Sequence, residues 1–287
     1  MGVFSRSWKV TKLSFDVMKK DKELLLFPLL GGIFSIIFIF AMLFPTIISR
    51  MITEVTQSIT FGVLEYVLLF ITYLGLSFIA VFFNVCVVYT TKTRFEGGNA
   101  TFFDSIKYAI SKIHLIFVWS LVSATVGLIL KIIERMAEKV GQGGRIILMA
   151  LRSILGMIWS IVTIFVVPAM VYSNLGPIDA IKKSINTLKK TWGESIVRVI
   201  GLGLVQFLFF ILGVIIIIPL FILLSALGGI GILIGIIFVI VYFIGLFLIF
   251  GVANTIFNTA LYVYADQGKI PQGYDQDILS NAFRVKK

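Results

Sequence analysis

Cysteine and histidine are nearly absent from this chain: Cys86 and His114 stand alone among 287 residues. One thiol excludes an intrachain disulfide and a thiolate metal cluster, and one imidazole excludes a multi-histidine metal site. Charge is also scarce, at 14% of residues, where water-soluble domains carry about a quarter. No carboxylates are paired, and no nucleophile is set beside a base. The glycine-rich Gly141-Gln142-Gly143-Gly144 lacks the lysine–serine pair of a phosphate-binding loop. These absences predict a protein that is not an enzyme, with no catalytic site, no metal and no cofactor.

What fills the chain is apolar. Hydrophobic residues make up 59% and the mean hydropathy is +1.06, so the solvent for most side chains is lipid. A membrane helix needs about 20 apolar residues. Runs of that kind fall near Leu24 to Ile48, Val63 to Tyr89, Ile113 to Ile133, Ile146 to Tyr172, Ile196 to Leu224 and Ile230 to Val263. The boundary at Ser225 to Gly229 rests on the Gly228-Gly229 pair, and three shorter spans across Ile196 to Tyr264 would give seven. The last run would be roughly 50 Å long as one helix, beyond a hydrocarbon core of about 30 Å. It must tilt, break or protrude.

Formal net charge is +11, which in a membrane chain reports topology before it reports nucleic-acid binding. With six spans, only Arg50, Lys131, Arg135, Lys139, Arg145 and Arg152 of the 25 lysines and arginines fall opposite the N-terminal side. The positive-inside rule then places both termini in the cytoplasm. The first apolar run starts late and is too long for a signal-peptide core, so no cleaved signal is expected. Arg6 occupies the position where a myristoylation motif wants serine or threonine.

An internal repeat organises the spans. Thr101-Phe102-Phe103-Asp104 reads as an N-cap with an acid at N3, and Gly176-Pro177-Ile178-Asp179 offers the same geometry with proline at N1. Asp104, Ile106, Ala109 and Ile110 then match Asp179, Ile181, Ser184 and Ile185, and Asp277-Ile278-Leu279 with Ala282-Phe283 echoes them. In the segment after Gly176, Ile178, Ile181, Ile185, Leu188 and Trp192 share one helix face opposite Lys182, Lys183, Asn186, Lys189 and Lys190. Phe4, Trp8, Thr11, Phe15 and Met18 repeat the spacing opposite Lys9, Lys12, Lys19 and Lys20. The expected architecture is an all-α, polytopic membrane bundle forming one domain over residues 1–287. Its six transmembrane helices make three parallel two-helix repeats (about 1–90, 100–173 and 176–264), each preceded by a cytoplasmic amphipathic interfacial helix, before a cytoplasmic tail at 265–287.

At Asp21-Lys22-Glu23-Leu24-Leu25-Leu26-Phe27-Pro28, after the aromatic and basic stretch around Trp8, the chain resembles a family of uncharacterised prokaryotic six-span membrane proteins. More distantly it looks like the membrane domain of some bacterial glycerophosphodiester phosphodiesterases. The resemblance implies a fold and a prokaryotic cell membrane, and no catalytic residue is carried over. Mitochondrial carriers share three two-span repeats, but their proline-x-acid signature is absent, because Ile47 follows Pro45 at the acid position.

Asn84, Gln206, Asn254 and Asn258 are the polar side chains embedded in the spans; they line a polar path or serve as interhelical hydrogen-bonding groups worth about 0.6 kcal/mol each. Glu65 sits near the external end of its span, within snorkelling reach of the interface. Asn99-Ala100-Thr101 is a sequon on the cytoplasmic side, with Thr101 committed to capping. Lys9, Lys12, Lys19, Lys20, Lys182, Lys183, Lys189 and Lys190 are candidate contacts for anionic headgroups. Expected partners are membrane lipids, with a protein partner or second copy as the other option and no nucleic acid. The leading functional expectation is a non-enzymatic membrane component acting on lipids or a partner complex. The alternative is a transporter for a lipid or small apolar solute.

Overall fold

The computed structural model describes residues 3–52, 63–192 and 201–274. Among them every regular element is helical: α1 (Val3–Lys20), a 3-10 turn (Lys22–Leu25), α2 (Leu26–Ile52), α3 (Val63–Phe95), α4 (Phe102–Ser111), α5 (Ile113–Lys139), α6 (Gln142–Val162), α7 (Val166–Ser173), α8 (Pro177–Trp192), α9 (Gly201–Ser225) and α10 (Gly228–Gln267). Six segments are long and apolar enough to cross a membrane: Lys22–Phe44, Tyr66–Phe95, Ile113–Lys139, Gln142–Ser173, Val205–Ser225 and Gly228–Gln267. Residues 193–200, where the fifth apolar run opens, and the tail motif at 277–283 lie outside the described residues, as do the side chains of Glu65, Lys9 and Lys190.

The chain divides into two compact units. The first gathers α1, the 3-10 turn, residues 90–99, the end of α8 from Thr187, α9 and α10. Within it α1 packs on both α9 and α10. Its buried stripe is Thr11, Ser14, Val17 and Met18, while Trp8 is half exposed. This stripe is more polar than the aromatic face the sequence suggests.

The last apolar run neither breaks nor divides. Helix α10 continues for 40 residues, about 60 Å at 1.5 Å per residue, and two spans rather than three follow residue 200. The stretch from Gly228 to Gly251 is already long enough to cross the hydrocarbon, at about 36 Å, and most of its large side chains are exposed. From Val252 to Val263 nearly every side chain is buried, so the helix outlasts the bilayer and ends packed in protein. Where α9 turns into α10, a Cβ on Gly231 would stand 1.8 Å from the Leu224 carbonyl oxygen, and one on Gly235 2.7 Å from the Phe221 ring. The small-xxx-small pair thus serves this hairpin.

The second unit holds residues 27–89 and 100–186. Gly75 receives the Phe38 ring, and Phe34 stacks on Phe83, joining α2 to α3. Trp119 stacks on Trp159 at 5.7 Å between α5 and α6. The charged segment Lys131 to Arg145, which joins the third apolar run to the fourth, is mostly helix, and only Val140 and Gly141 separate α5 from α6. Its charges make this possible: Glu134 lies between Lys131 at 2.8 Å and Arg152 at 3.3 Å, and the Arg135 guanidinium covers the Tyr66 ring.

The fourth span is interrupted, which the apolar run does not reveal. Helix α6 ends at Val162, and α7 begins at Val166 with Pro168 in its first turn. Proline brings no N–H for the carbonyl four residues back and its ring crowds that position. Ser184 of α8 repairs the gap by donating its hydroxyl to the Val162 carbonyl at 2.6 Å and accepting from the Phe165 N–H at 3.3 Å. Replacing Ser184 with alanine should orphan both backbone groups and lower stability by about 1–3 kcal/mol. Equilibrium unfolding in mixed micelles checks this, with Ser111→Ala as a control expected within about 0.5 kcal/mol, since its hydroxyl is exposed.

Candidate functional site

Short helices α4 and α8 share a three-sided construction. On α4 the buried side is Ser105 and Ala109, and on α8 it is Ala180, Ser184 and Thr187. Beside that stripe runs an apolar flank left partly or wholly open: Phe103, Ile106 and Ile110 on α4, and Ile178, Ile181 and Ile185 on α8. The third side is polar, with Lys107 on α4 and Lys182, Asn186 and Lys189 on α8, all exposed. Three strips, buried, open apolar and polar, thus run along each of these helices. Ile178, Ile181 and Ile185 of the apolar face read from sequence lie on this open flank, and Leu188 of that face is buried.

The start of α4 is fixed by a reciprocal cap. The Asp104 N–H donates to the Thr101 hydroxyl at 3.2 Å, while the Thr101 hydroxyl and N–H donate to the Asp104 carboxylate at 2.7 and 3.0 Å. The hydroxyl first and the backbone second hold that carboxyl below its ordinary pKa. In α8 the corresponding acid, Asp179, instead pairs with Lys182 at 3.2 Å. An exposed pair of this spacing is worth only about 0.3–0.5 kcal/mol, too little to withhold Lys182 from a stronger anion. Lys183 is half buried.

Within the other unit, three distant stretches of chain enclose a groove of about 410 Å³ lined by Leu13, Asp16, Val17, Lys19, Lys20, Arg94, Gln272 and Gly273. Each wall is held by a specific contact. Arg94, in the last turn of α3, grips both oxygens of the buried Asp21 carboxylate, Nε at 2.6 Å and Nη2 on the other oxygen, and Nη2 also donates to Asn99. The turn from Pro271 to Tyr274, with Gly273 at φ +91°, closes by a Tyr274 N–H to Pro271 carbonyl bond. It is anchored by Tyr274, whose hydroxyl meets the Ser14 hydroxyl at 3.0 Å and whose ring stands edge-on to Phe95. Lys12, Lys19 and Lys20 are exposed on α1.

The amides divide differently. Asn254 and Asn258 stand one turn apart on α10, Asn254 exposed and Asn258 half buried; Gln206 is half buried on α9, and Asn84 lies on α3 in the other unit. The side-chain oxygens of Asn84 and Asn258 are shut from solvent and accept no hydrogen bond. Cys86 is fully buried and its thiol points to the Ser105 carbonyl, and His114 is exposed at the start of α5. Sequence spacing gave no sign of the groove, because its parts lie 13, 94 and 272 residues into the chain; the paired Asp21 and Arg94 were the only signal available.

These features define a multi-pass α-helical membrane protein. The chain belongs to a family of unknown function, DUF6159, whose profile matches residues 63–272. That region covers α3 to α10 and begins after the Asp21–Pro28 octapeptide. No curated protein is significantly similar to the chain.

Burial raises the pKa of Tyr274, and its bond to Ser14 offsets this only in part. A phenol whose pKa is higher folded than unfolded adds stability that is complete below the unfolded value, near 10, and is lost as pH climbs from there through the folded value. Stability should therefore fall more steeply above about pH 10 in the native chain than in Tyr274→Phe, as measured by unfolding across that range.

Proposed function

We propose that this protein is a non-enzymatic component of a prokaryotic cell membrane, both termini cytoplasmic, that works at the inner headgroup layer on anionic lipids, either alone or with a partner chain. The observation carrying this reading is the three-sided build of α8: a small buried stripe, an open isoleucine flank and a lysine-bearing edge. The same order on α4 supports a repeat in which a surface helix introduces each hairpin. Likeness to the membrane domain of glycerophosphodiester phosphodiesterases would add a fold to this picture and no chemistry. Each basic residue near an anionic leaflet contributes about 1 kcal/mol, so the edge acts through its sum.

Changing Lys182, Lys183, Lys189 and Lys190 together to glutamine should cut the anionic lipid retained by the purified protein roughly tenfold or more. Quantitative mass spectrometry of the protein in its native lipid patch measures this, and unchanged retention would sink the reading.

One observation favours a second reading, a path for a lipid or small apolar solute. Interhelical hydrogen bonding accounts poorly for Asn84 and Asn258, because their buried oxygens accept nothing. An unmade bond at a buried acceptor costs about 1–3 kcal/mol, and a transient ligand donor would offset it. Replacing Asn254 and Asn258 by leucine should abolish solute flux into liposomes on this reading, and intact flux excludes the path.

A further inference from the structure

We propose that the groove between α1, Arg94 and the Pro271–Tyr274 turn binds the phosphate group of an anionic phospholipid headgroup. Lys19, Lys20 and Arg94 face it with one carboxylate, Asp16, and the Arg94 charge is offset by Asp21 behind it, so the two lysines supply the excess positive charge. Helix-terminal lysines have an ordinary explanation, since cations favour the negative end of the helix dipole, and Lys19 and Lys20 close α1. Arg94, in the last turn of α3, shares that explanation, but it arrives from a different helix and is fixed in place by Asp21, only 4% exposed, and by Asn99. With Nε and Nη2 committed, the guanidinium is held rigid, and among the described residues no hydrogen bond takes its Nη1 amine. The Nη1 hydrogens held out in this way suit a phosphate oxygen.

Shape and position select the source of the phosphate. A volume of about 410 Å³ accommodates a headgroup, where a lone phosphate would leave most of the space to water. Leu13 and Val17 make one wall apolar. The chain enters its first membrane-capable segment at Lys22 and leaves its second at Phe95, beside the residues that line the groove. Asp16 then faces hydroxyl or ammonium donors of the headgroup, which a bare phosphate lacks.

The inference rests on the reading of the cytoplasmic side as a lipid-contacting surface, and the variants separate the two. Binding of short-chain phosphatidylglycerol, phosphatidylcholine and inorganic phosphate to the full chain in micelles is measured for the native protein, for Lys19→Gln/Lys20→Gln and for Lys182→Gln/Lys189→Gln. The first variant should bind phosphatidylglycerol roughly tenfold or more weakly with phosphatidylcholine binding unchanged, while the second retains the groove lipid. Inorganic phosphate should compete only at far higher concentration; phosphate bound as tightly as the lipid overturns the headgroup as the source. Unchanged binding in Lys19→Gln/Lys20→Gln overturns the groove. If lipid is lost from the α8 variant in that case, the surface reading stands without it, and if neither variant loses lipid both readings fall.

Discussion

A backbone N–H or C=O inside hydrocarbon has no water to bond, and each one left unmade costs several kcal/mol. That constraint shapes the spans of this chain. It explains the unbroken ladder of α10 through 40 residues rich in β-branched side chains and glycine, composition that would give a poor helix in water. It also explains the treatment of the one interruption among the described spans. The α6 ladder stops at Val162 ahead of Pro168, and a serine from α8 bonds the Val162 carbonyl and the Phe165 N–H on either side of the break. Ser184 is thus both part of the buried stripe of a surface helix and the repair of a membrane helix, so α8 is held against its own unit by a polar contact as well as by packing.

At the other unit the organising contacts are equally few. Asp21 ends the first helix and Arg94 ends the third, and their bidentate pair ties the beginning of the chain to residue 94. Ser14 and Tyr274 tie it to a position 260 residues away. Asp21 is the buried member and Arg94 reaches water, so the pair matters more for the carboxylate that losing Arg94 would strand than for net attraction. The helix α1 held by these contacts buries Thr11 and Ser14 more fully than Trp8 and Phe15. Its packing is set by where hydroxyls find partners.

The spans were legible because a membrane helix is a property of consecutive residues: length, hydropathy and basic flanks are all local. Six segments, the Thr101–Asp104 cap and the proline-led start of α8 follow from that. The interruption at residues 163–165 was not legible, since Pro168 sits where a first turn tolerates it and the serine that makes the break affordable is 16 residues on. Nor was the inward face of α8, because Ala180, Ser184 and Thr187 carry no hydropathy signal and the isoleucines beside them carry a large one. Helical periodicity locates an apolar stripe but cannot tell protein from lipid as the thing it meets. The extension of α5 and α6 past the membrane was hidden for a related reason: charges read as loop when their partners lie on another helix.

The distribution of polar groups bears on which work the protein does. Arg152 lies ten residues into α6, yet the stretch from it to Ser173 rises about 31 Å, a full hydrocarbon thickness, so its pairing with Glu134 belongs to one end of the span. Charged side chains are then confined to the two edges of the described spans, and the interior keeps amides, hydroxyls, indoles and the Cys86 thiol. Proton or ion coupling draws on carboxylates or imidazoles at depth, and such a machine would have little to work with here. Amide oxygens without partners suit a neutral donor passing or resting beside them, whereas clustered cations at the membrane edge suit a fixed anion. The two kinds of site make different demands on a ligand: a phosphate would meet the cations at the edge, whereas the Asn84 and Asn258 oxygens ask for a hydroxyl or amine donor, because an ester group is itself an acceptor.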